Sequence, residues 1–358
     1  MESSSILILS LNNLNEKKKI LIVGPSWVGD MVMAQSLFKL LKLQSPEMII
    51  DVIAPEWSLP ITERMPEVNN SINSLGKHNH LNLKAIFKIA RELKTTAYDQ
   101  AIILPRSLKS ALIPWLANIP IRTGYRGEMR YGIINDIRAF NPNIEEQTVK
   151  RYAALGLKKT NKKLSVLYPK LDVSIRNCKR IFKEINVNTE RKSIGILPGA
   201  EYGQAKKWPA SYYSIVVKHY LSMEWNVFLM GSKKDQRDAN AIINETDLMD
   251  NDNLFDLTGK TALTDVVDVL SNMNIVLTND SGLMHIAAAV DTPLVAVYGP
   301  TSPEFTPPLS ERAITLRKRS GYSRIRVGDA DGGYHSSLVK LKPDEVLLEL
   351  ENIYKKYL

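Results

Sequence analysis

Apolar and polar positions along the chain fall into two successive series of short apolar runs and amphipathic stretches. The first series opens with KILIVG at residues 19–24. A stretch beginning at Asp30, DMVMAQSLFKLLKLQ, then carries apolar residues at helical spacing. The apolar runs MIIDVIAP (48–55) and AIILP (101–105) flank a helical LNLKAIFKIARELKT (81–95). This alternation predicts βαβ units and a parallel sheet, because parallel strands are buried on both faces and read as unbroken apolar runs. SLKSALIPWLAN (107–118) predicts a helix kinked or broken at Pro114, which has no N–H for the helical ladder. IRTGY (121–125) predicts a short strand, and RGEMRYGIINDIRAFNPN (126–143) a basic loop.

The polar stretch KKTNKKLSVLYPK (158–170) interrupts this rhythm, which then restarts. Helical CKRIFKEI (178–185) precedes the strand KSIGILPG (192–199). Further strands are WNVFLMG (225–231), LFDLTG (254–259), NIVLTN (274–279) and TPLVAVYG (292–299). Between them lie helical WPASYYSIVVKHYL (208–221), KDQRDANAII (234–243), ALTDVVDVLSNM (262–273) and SGLMHIAAAV (281–290). A last helix, PDEVLLELENIYKKYL (343–358), stands apart. The pattern predicts an α/β protein with an extension at 1–18, βα domains at 19–170 and 171–340, and a C-terminal helical segment at 341–358.

The length of 358 residues fits two domains. A hydrophobic share of 44% with 24% charged residues excludes collagen-like and wholly disordered classes. The single cysteine, Cys178, excludes an intramolecular disulfide and a cysteine-based zinc site. The formal charge of +9 fits acidic small molecules, nucleic acid or an anionic membrane surface. It equally fits drift in a chain rich in Lys, Ile and Asn. No apolar run approaches the ~18 residues of a membrane span. MESSSILILSLNNLNEKKK places its lysines after the short apolar run, the wrong side for a secretory signal. A cytoplasmic protein is therefore expected.

Three loops at strand-to-helix junctions carry candidate chemistry. In Gly24-Pro25-Ser26-Trp27-Val28-Gly29-Asp30 the glycines are spaced for neither a dinucleotide fingerprint nor a Walker loop. Asp30 reads either as a helix N-cap or as a catalytic base. In Gly199-Ala200-Glu201-Tyr202-Gly203-Gln204-Ala205-Lys206-Lys207-Trp208-Pro209, two lysines beside a helix start suit a phosphate or are solvated surface charges. In Thr278-Asn279-Asp280-Ser281-Gly282-Leu283-Met284-His285, the N–H groups of Ser281, Gly282 and Leu283 could cradle a diphosphate. The alternative is a capped helix start, with Asp280 or Ser281 as the cap and His285 as a packed core histidine. His78-x-His80 lacks a further ligand at metal-binding spacing. No nucleic-acid module is present.

Taken together, GPSWVGDMVMAQSL (24–37), PGAEYGQAKKWP (198–209), TNDSGLMHIAAA (278–289) and YGPTSP (298–303) resemble the lipopolysaccharide heptosyltransferases of glycosyltransferase family 9. The resemblance runs from about residue 19 to 358. LPRSLKSAL (104–112), RTGYRGEMRYGIINDIR (122–138) and GDADGGYHSSLV (328–339) point within the family to the members that add the second heptose of the inner core. The resemblance implies a GT-B fold, two Rossmann-like domains facing across a cleft, with the last helix crossing back to the N-terminal domain. It implies transfer of L-glycero-D-manno-heptose from ADP-heptose to a lipid A-Kdo-heptose acceptor at the inner face of the inner membrane. That reading includes peripheral contact with anionic lipid, no cofactor, no metal and no nucleic acid.

Roles carry over by position. Asp30 matches the general base, and Lys206 the lysine that holds the donor phosphates. Asp280, Ser281, Gly282, Leu283 and His285 match the donor loop, with Gly199 and Thr261 at the nucleotide pocket. Arg106, Lys109, Arg122, Arg126 and Arg130 are the expected acceptor contacts. The alternatives are another heptosyltransferase of the family, or a non-catalytic binder of nucleotide or anionic lipid on the same fold.

Overall fold

A computed structural model describes residues 17–74, 82–142, 145–158 and 165–357. Nearly all of the expected extension at 1–18, and His78 and His80, lie outside the described residues. The first sheet contains β1 (Lys19–Val23), β2 (Ile49–Ala54), β3 (Asn70–Asn73), β4 (Gln100–Ile103), β5 (Ile121–Tyr125) and β6 (Asp136–Arg138). The second contains β7 (Ser193–Leu197), β8 (Asn226–Leu229), β9 (Leu254–Asp256), β10 (Ile275–Asn279), β11 (Leu294–Tyr298) and β12 (Ala313–Arg317). Their orders are β3-β2-β1-β4-β5-β6 and β12-β11-β10-β7-β8-β9. Every neighbouring pair is parallel.

Each half thus has the doubly wound order in which the chain reverses direction beside its first strand, and ligands bind outside the carboxyl ends of strands at that reversal. In the first half the reversal lies between β1 and β4, and in the second between β7 and β10. The central strands are buried along nearly their whole length, which explains their unbroken apolar runs.

The elements not foreseen are the polar ones. β3 (NSIN) and β6 (DIR) have no fully buried residue, and β12 is likewise only half-buried at a sheet edge. Edge strands need less apolar surface, so they leave little trace in the pattern. The helix Thr148–Leu155 lies between the basic loop at 126–143 and the polar stretch at 158–170, where the sequence pattern assigned no element. The expected break at Pro114 is corrected: the helix Leu108–Leu116 runs through it. Only two residues follow the proline there, so little of the ladder is lost.

The last helix, Pro343–Tyr357, requires a larger correction. It buries Val346, Leu350 and Ile353 in a cluster drawn entirely from the second half, with Trp225, Val227 and Ile275. Trp225 and Tyr354 meet edge to face at 5.0 Å. The i, i+4, i+7 stripe is spent on the outer face of the second sheet, so this helix does not cross back to the first domain.

The halves are joined elsewhere. Residues 167–171 run along the helix Val28–Gln44, where Ser36 Oγ and Lys39 Nζ donate to the carbonyls of Leu167 and Tyr168 at 2.5 and 2.8 Å. Leu171 N donates to Ala289 O at 3.0 Å. Arg64 reaches the fully buried Asp268 at 2.7 Å. Thr148 N donates to Phe305 O at 3.0 Å. Among the described residues no helix is long and apolar enough to cross a membrane.

Candidate active site

The carboxyl ends of β1, β7 and β10 converge on one place. The register sets Val23 beside both Ile53 and Ile103, and Thr278 beside Leu197, so the three candidate loops leave their sheets almost level. Asn279 ties two of them together. It is fully buried, accepts from Trp208 N at 3.0 Å and donates to Pro198 O at 2.6 Å. The loop before Lys206 and the loop before Gly282 are therefore held as one unit by a single amide.

Lys206 Nζ lies 2.6 Å from Asp280 Oδ2, with both side chains largely buried. Thr301 Oγ1 donates to the same oxygen at 2.6 Å. Lys207 points elsewhere, to Asp238 at 2.6 Å. The geometry thus separates two lysines that the sequence leaves equivalent. A buried pair of this kind is costly to break, because the remaining charge is left without a partner.

Asp30 stands opposite, on the first domain. The helix Val28–Gln44 begins two residues earlier than expected, so Asp30 occupies its first turn, after Trp27 in the capping position. Trp27 rather than Asp30 holds the capping position, and its side chain makes no capping bond, while Asp30 lies in the first turn beyond it. Burial pushes its carboxyl up to about 6, against the opposing pull of Lys206; Asp280 pushes the same way as burial, and Arg324 the same way as Lys206. A carboxylate tuned this close to neutrality is ionised at pH 7 yet basic enough to accept a proton.

Ser281 sits at the capping position of the helix Gly282–Ala289, but its hydroxyl makes no capping bond. Ser281 Oγ and Thr261 Oγ1 are buried and have no hydrogen-bond partner among the described residues. Buried hydroxyls normally find partners, and both of these belong to the expected nucleotide side. The N-termini of the two helices meet here: a Cβ on Gly282 would lie 3.5 Å from Gly29 N. Leu283 follows in the same turn, half-buried against the core.

Two expected nucleotide contacts have packing duties. A Cβ on Gly29 would lie 2.6 Å from His285 Cδ2, so Gly29 makes room for the buried His285 ring across the domain seam. Burial lowers the His285 pKa to about 4, so the ring is neutral there. A Cβ on Gly199 would lie 2.5 Å from the Asp235 carboxylate. That carboxylate closes a capping box with Ser232.

The five expected acceptor contacts divide. Arg106 and Arg126 are exposed on the loops after β4 and β5, where Gly127 packs against the Arg106 backbone. Lys109 is half-buried on the adjoining helix. These three share the cleft rim of the first sheet.

Arg122 and Arg130 are corrected. Arg122 lies near the start of β5, at the sheet end away from the cleft, and donates to the carbonyls of Ile119 and Ile133. Arg130 is 2% exposed and donates to the carbonyls of Pro105, Ser107 and Tyr125 and to Ser110 Oγ. Both brace backbone turns with a guanidinium fork, a role that basic residues in a loop do not announce.

A contrast follows. Arg126→Gln should raise the apparent KM for an anionic acceptor several-fold and flatten its salt dependence, because a screened surface charge is lost. Arg122→Gln should leave that KM within about twofold and act on stability instead. Steady-state kinetics at two ionic strengths test this; equal KM effects would return Arg122 to the acceptor surface.

Sequence reasoning missed Thr301 as a partner of Asp280, although YGPTSP was conspicuous. It also passed over 317–326, RKRSGYSRIR, whose five basic residues in ten positions were a visible signal.

The profile of glycosyltransferase family 9 (heptosyltransferase) matches residues 86–333. The chain is 44% identical over 341 residues to lipopolysaccharide heptosyltransferase 2 of Salmonella typhimurium, covering 94% of this chain and 98% of that one. It is 42% identical over 346 residues to lipooligosaccharide heptosyltransferase 2 of Haemophilus influenzae, covering 94% and 99%. Its fold superposes on the solved structure of E. coli ADP-heptose LPS heptosyltransferase II with a TM-score of 0.86 and 40% identity, over 94% of this chain and 99% of that one.

Proposed function

The chain belongs to glycosyltransferase family 9, the heptosyltransferases, and from that premise we propose that it moves L-glycero-D-manno-heptose from ADP-heptose to the first heptose of the lipopolysaccharide inner core, with inversion. The observation that carries this reading is the Lys206–Asp280 pair at the β7 and β10 ends, facing Asp30 from the β1 end. Asp30 takes the proton of the acceptor hydroxyl as that oxygen bonds to the anomeric carbon. The bond from that carbon to the diphosphate oxygen breaks, and ADP leaves.

Charge develops on the leaving diphosphate. Fixed donors aimed at it lower the barrier without reorganising. Lys206 and the N–H groups that open the helix Gly282–Ala289 fill that role. Ser281 Oγ and Thr261 Oγ1, buried without a partner among the described residues, are placed to bond a nucleotide. The described residues contain no cluster of three or more His, Cys, Asp or Glu side chains fit to hold a metal ion. In this reading Lys206 and that helix start do the work that a metal ion would otherwise do.

Arg106, Lys109 and Arg126 form the acceptor rim. Leu108, Met129 and Tyr131 are exposed near them. An apolar and cationic edge of that kind suits peripheral contact with an anionic inner-membrane surface, where the lipid-linked acceptor is presented.

The test is ADP release from ADP-heptose, with and without purified heptosylated acceptor, in the presence of EDTA. Acceptor-dependent release that survives EDTA supports the proposal. Binding of ADP-heptose without turnover on any inner-core acceptor would leave the chain a nucleotide binder. Rescue by Mg²⁺ of an EDTA-abolished activity would end the metal-free mechanism.

A further inference from the structure

The donor side of the cleft has a charge deficit. Lys206 is matched by Asp280 at 2.6 Å, so the pair brings no net positive charge. Asp30 adds a negative charge opposite. The start of the helix Gly282–Ala289 contributes roughly half an elementary charge. A nucleoside diphosphate carries at least two negative charges into this place, so further cations are required.

Five basic residues lie in the ten positions from Arg317 to Arg326. Lys318 is paired with Glu345. None of the four arginines has a carboxylate within ion-pair distance among the described residues. Arg317 is turned onto Ser302 Oγ and the Gly321 carbonyl. Arg319 is spent on the Ser320 carbonyl, Ser323 Oγ and His335. The Arg326 guanidinium lies over the Tyr202 ring, 5.4 Å from its centre.

Arg324 is placed differently. On one side, Ser323 N donates to Pro300 O at 2.9 Å, next to the Thr301 that holds Asp280. On the other, Arg326 O accepts from Ala205 N at 3.0 Å, next to Lys206. Arg324 is thus suspended between the two loops that present the Lys206–Asp280 pair. Its Nε donates to Tyr322 Oη at 2.8 Å, while its two terminal nitrogens have no partner among the described residues. Tyr322 is itself set by an edge-to-face contact with Phe305 at 5.0 Å.

An exposed, oriented guanidinium fork with both outer nitrogens unused is the group that chelates phosphate oxygens. We propose that Arg324 is a diphosphate-binding residue that completes the donor site, neutralising the charge that Lys206 cannot; this rests on the nucleotide-diphosphate reading above. The Arg324 charge also reaches Asp30 and draws its carboxyl downward, which places the guanidinium on the cleft side of the loop.

The experiment is calorimetric titration of the full chain and its Arg324→Ala, Arg324→Lys and Tyr322→Phe variants with ADP and with adenosine. Arg324→Ala should weaken ADP about tenfold or more, the scale of a charge-assisted bond, and leave adenosine affinity unchanged. Arg324→Lys should recover part of the loss, and Tyr322→Phe should show a smaller one. The acid limb of the Arg324→Ala pH–rate profile should move to higher pH, since a positive neighbour of Asp30 is gone. ADP affinity within twofold of wild type in Arg324→Ala overturns the proposal. So does a rise confined to the acceptor KM, which would give the guanidinium to an acceptor anion. Failure of the wild-type chain to bind ADP would instead overturn the donor-site reading itself.

Discussion

Asp30→Asn should lose about 10²–10⁴-fold in turnover, the usual contribution of a general base, while ADP affinity stays within a few-fold of wild type. The same substitution should raise stability at neutral pH. A carboxyl whose pKa is about 6 in the folded chain, above its ordinary 3.8, binds its proton more tightly folded than unfolded. Ionised Asp30 therefore destabilises the fold above pH 6, and the effect disappears below about pH 4. Asparagine removes it, for a gain of roughly 1–3 kcal/mol at pH 7 by linkage. Higher thermal stability together with lost turnover is a combination that misfolding cannot produce. The wild-type kcat/KM should correspondingly fall as pH drops through about 6. Near-normal turnover of Asp30→Asn would remove the base from the mechanism.

The opposition of stability and activity at Asp30 shows what kind of information the sequence carried. The doubly wound halves were legible because β1, β7, β10 and β11 are apolar along their length and end in Gly or Asn-Asp turns. The three loops were legible because each breaks that pattern at a strand's carboxyl end. What the pattern could not supply was where a side chain spends its hydrogen bonds. Arg130 and Arg106 are both basic residues beside Gly127, yet one is buried among carbonyls and the other faces solvent. The difference depends on the turn that follows β5, which has no periodicity to read. The last helix shows the same limit. Its apolar stripe at Val346, Leu350 and Ile353 states that one face is buried, but not against which sheet. Pairing across long separations is equally silent: Asp280 meets Thr301 and Lys206 only because β10 lies between β11 and β7.

Lys206 and Lys207 give the second large effect, and here adjacent residues should part company. Lys206→Ala removes the cation beside Asp280 and leaves a 5%-exposed carboxylate with the Thr301 hydroxyl as its remaining partner. Two losses follow together. ADP binding should weaken at least tenfold, because a charge-assisted contact to phosphate is gone and an unpaired negative charge now stands where the diphosphate must sit. Turnover should fall by about 10²–10³-fold, the scale seen when one preorganised donor to a developing charge is removed. Stability should fall as well, by about 3 kcal/mol or more for breaking a buried pair from one side. The double substitution Lys206→Ala with Asp280→Asn removes the stranded charge, so it should recover stability and some ADP affinity without recovering turnover. Lys207→Ala breaks only the pair with Asp238, whose side chains are also mostly buried. It should cost stability, because one partner of a mostly buried pair is lost, but leave ADP affinity and turnover within twofold. Calorimetry, thermal melts and initial rates on the four proteins separate these terms. A Lys207→Ala variant that loses ADP as severely as Lys206→Ala would mean that the two lysines share the phosphates, and that Asp280 does not select between them.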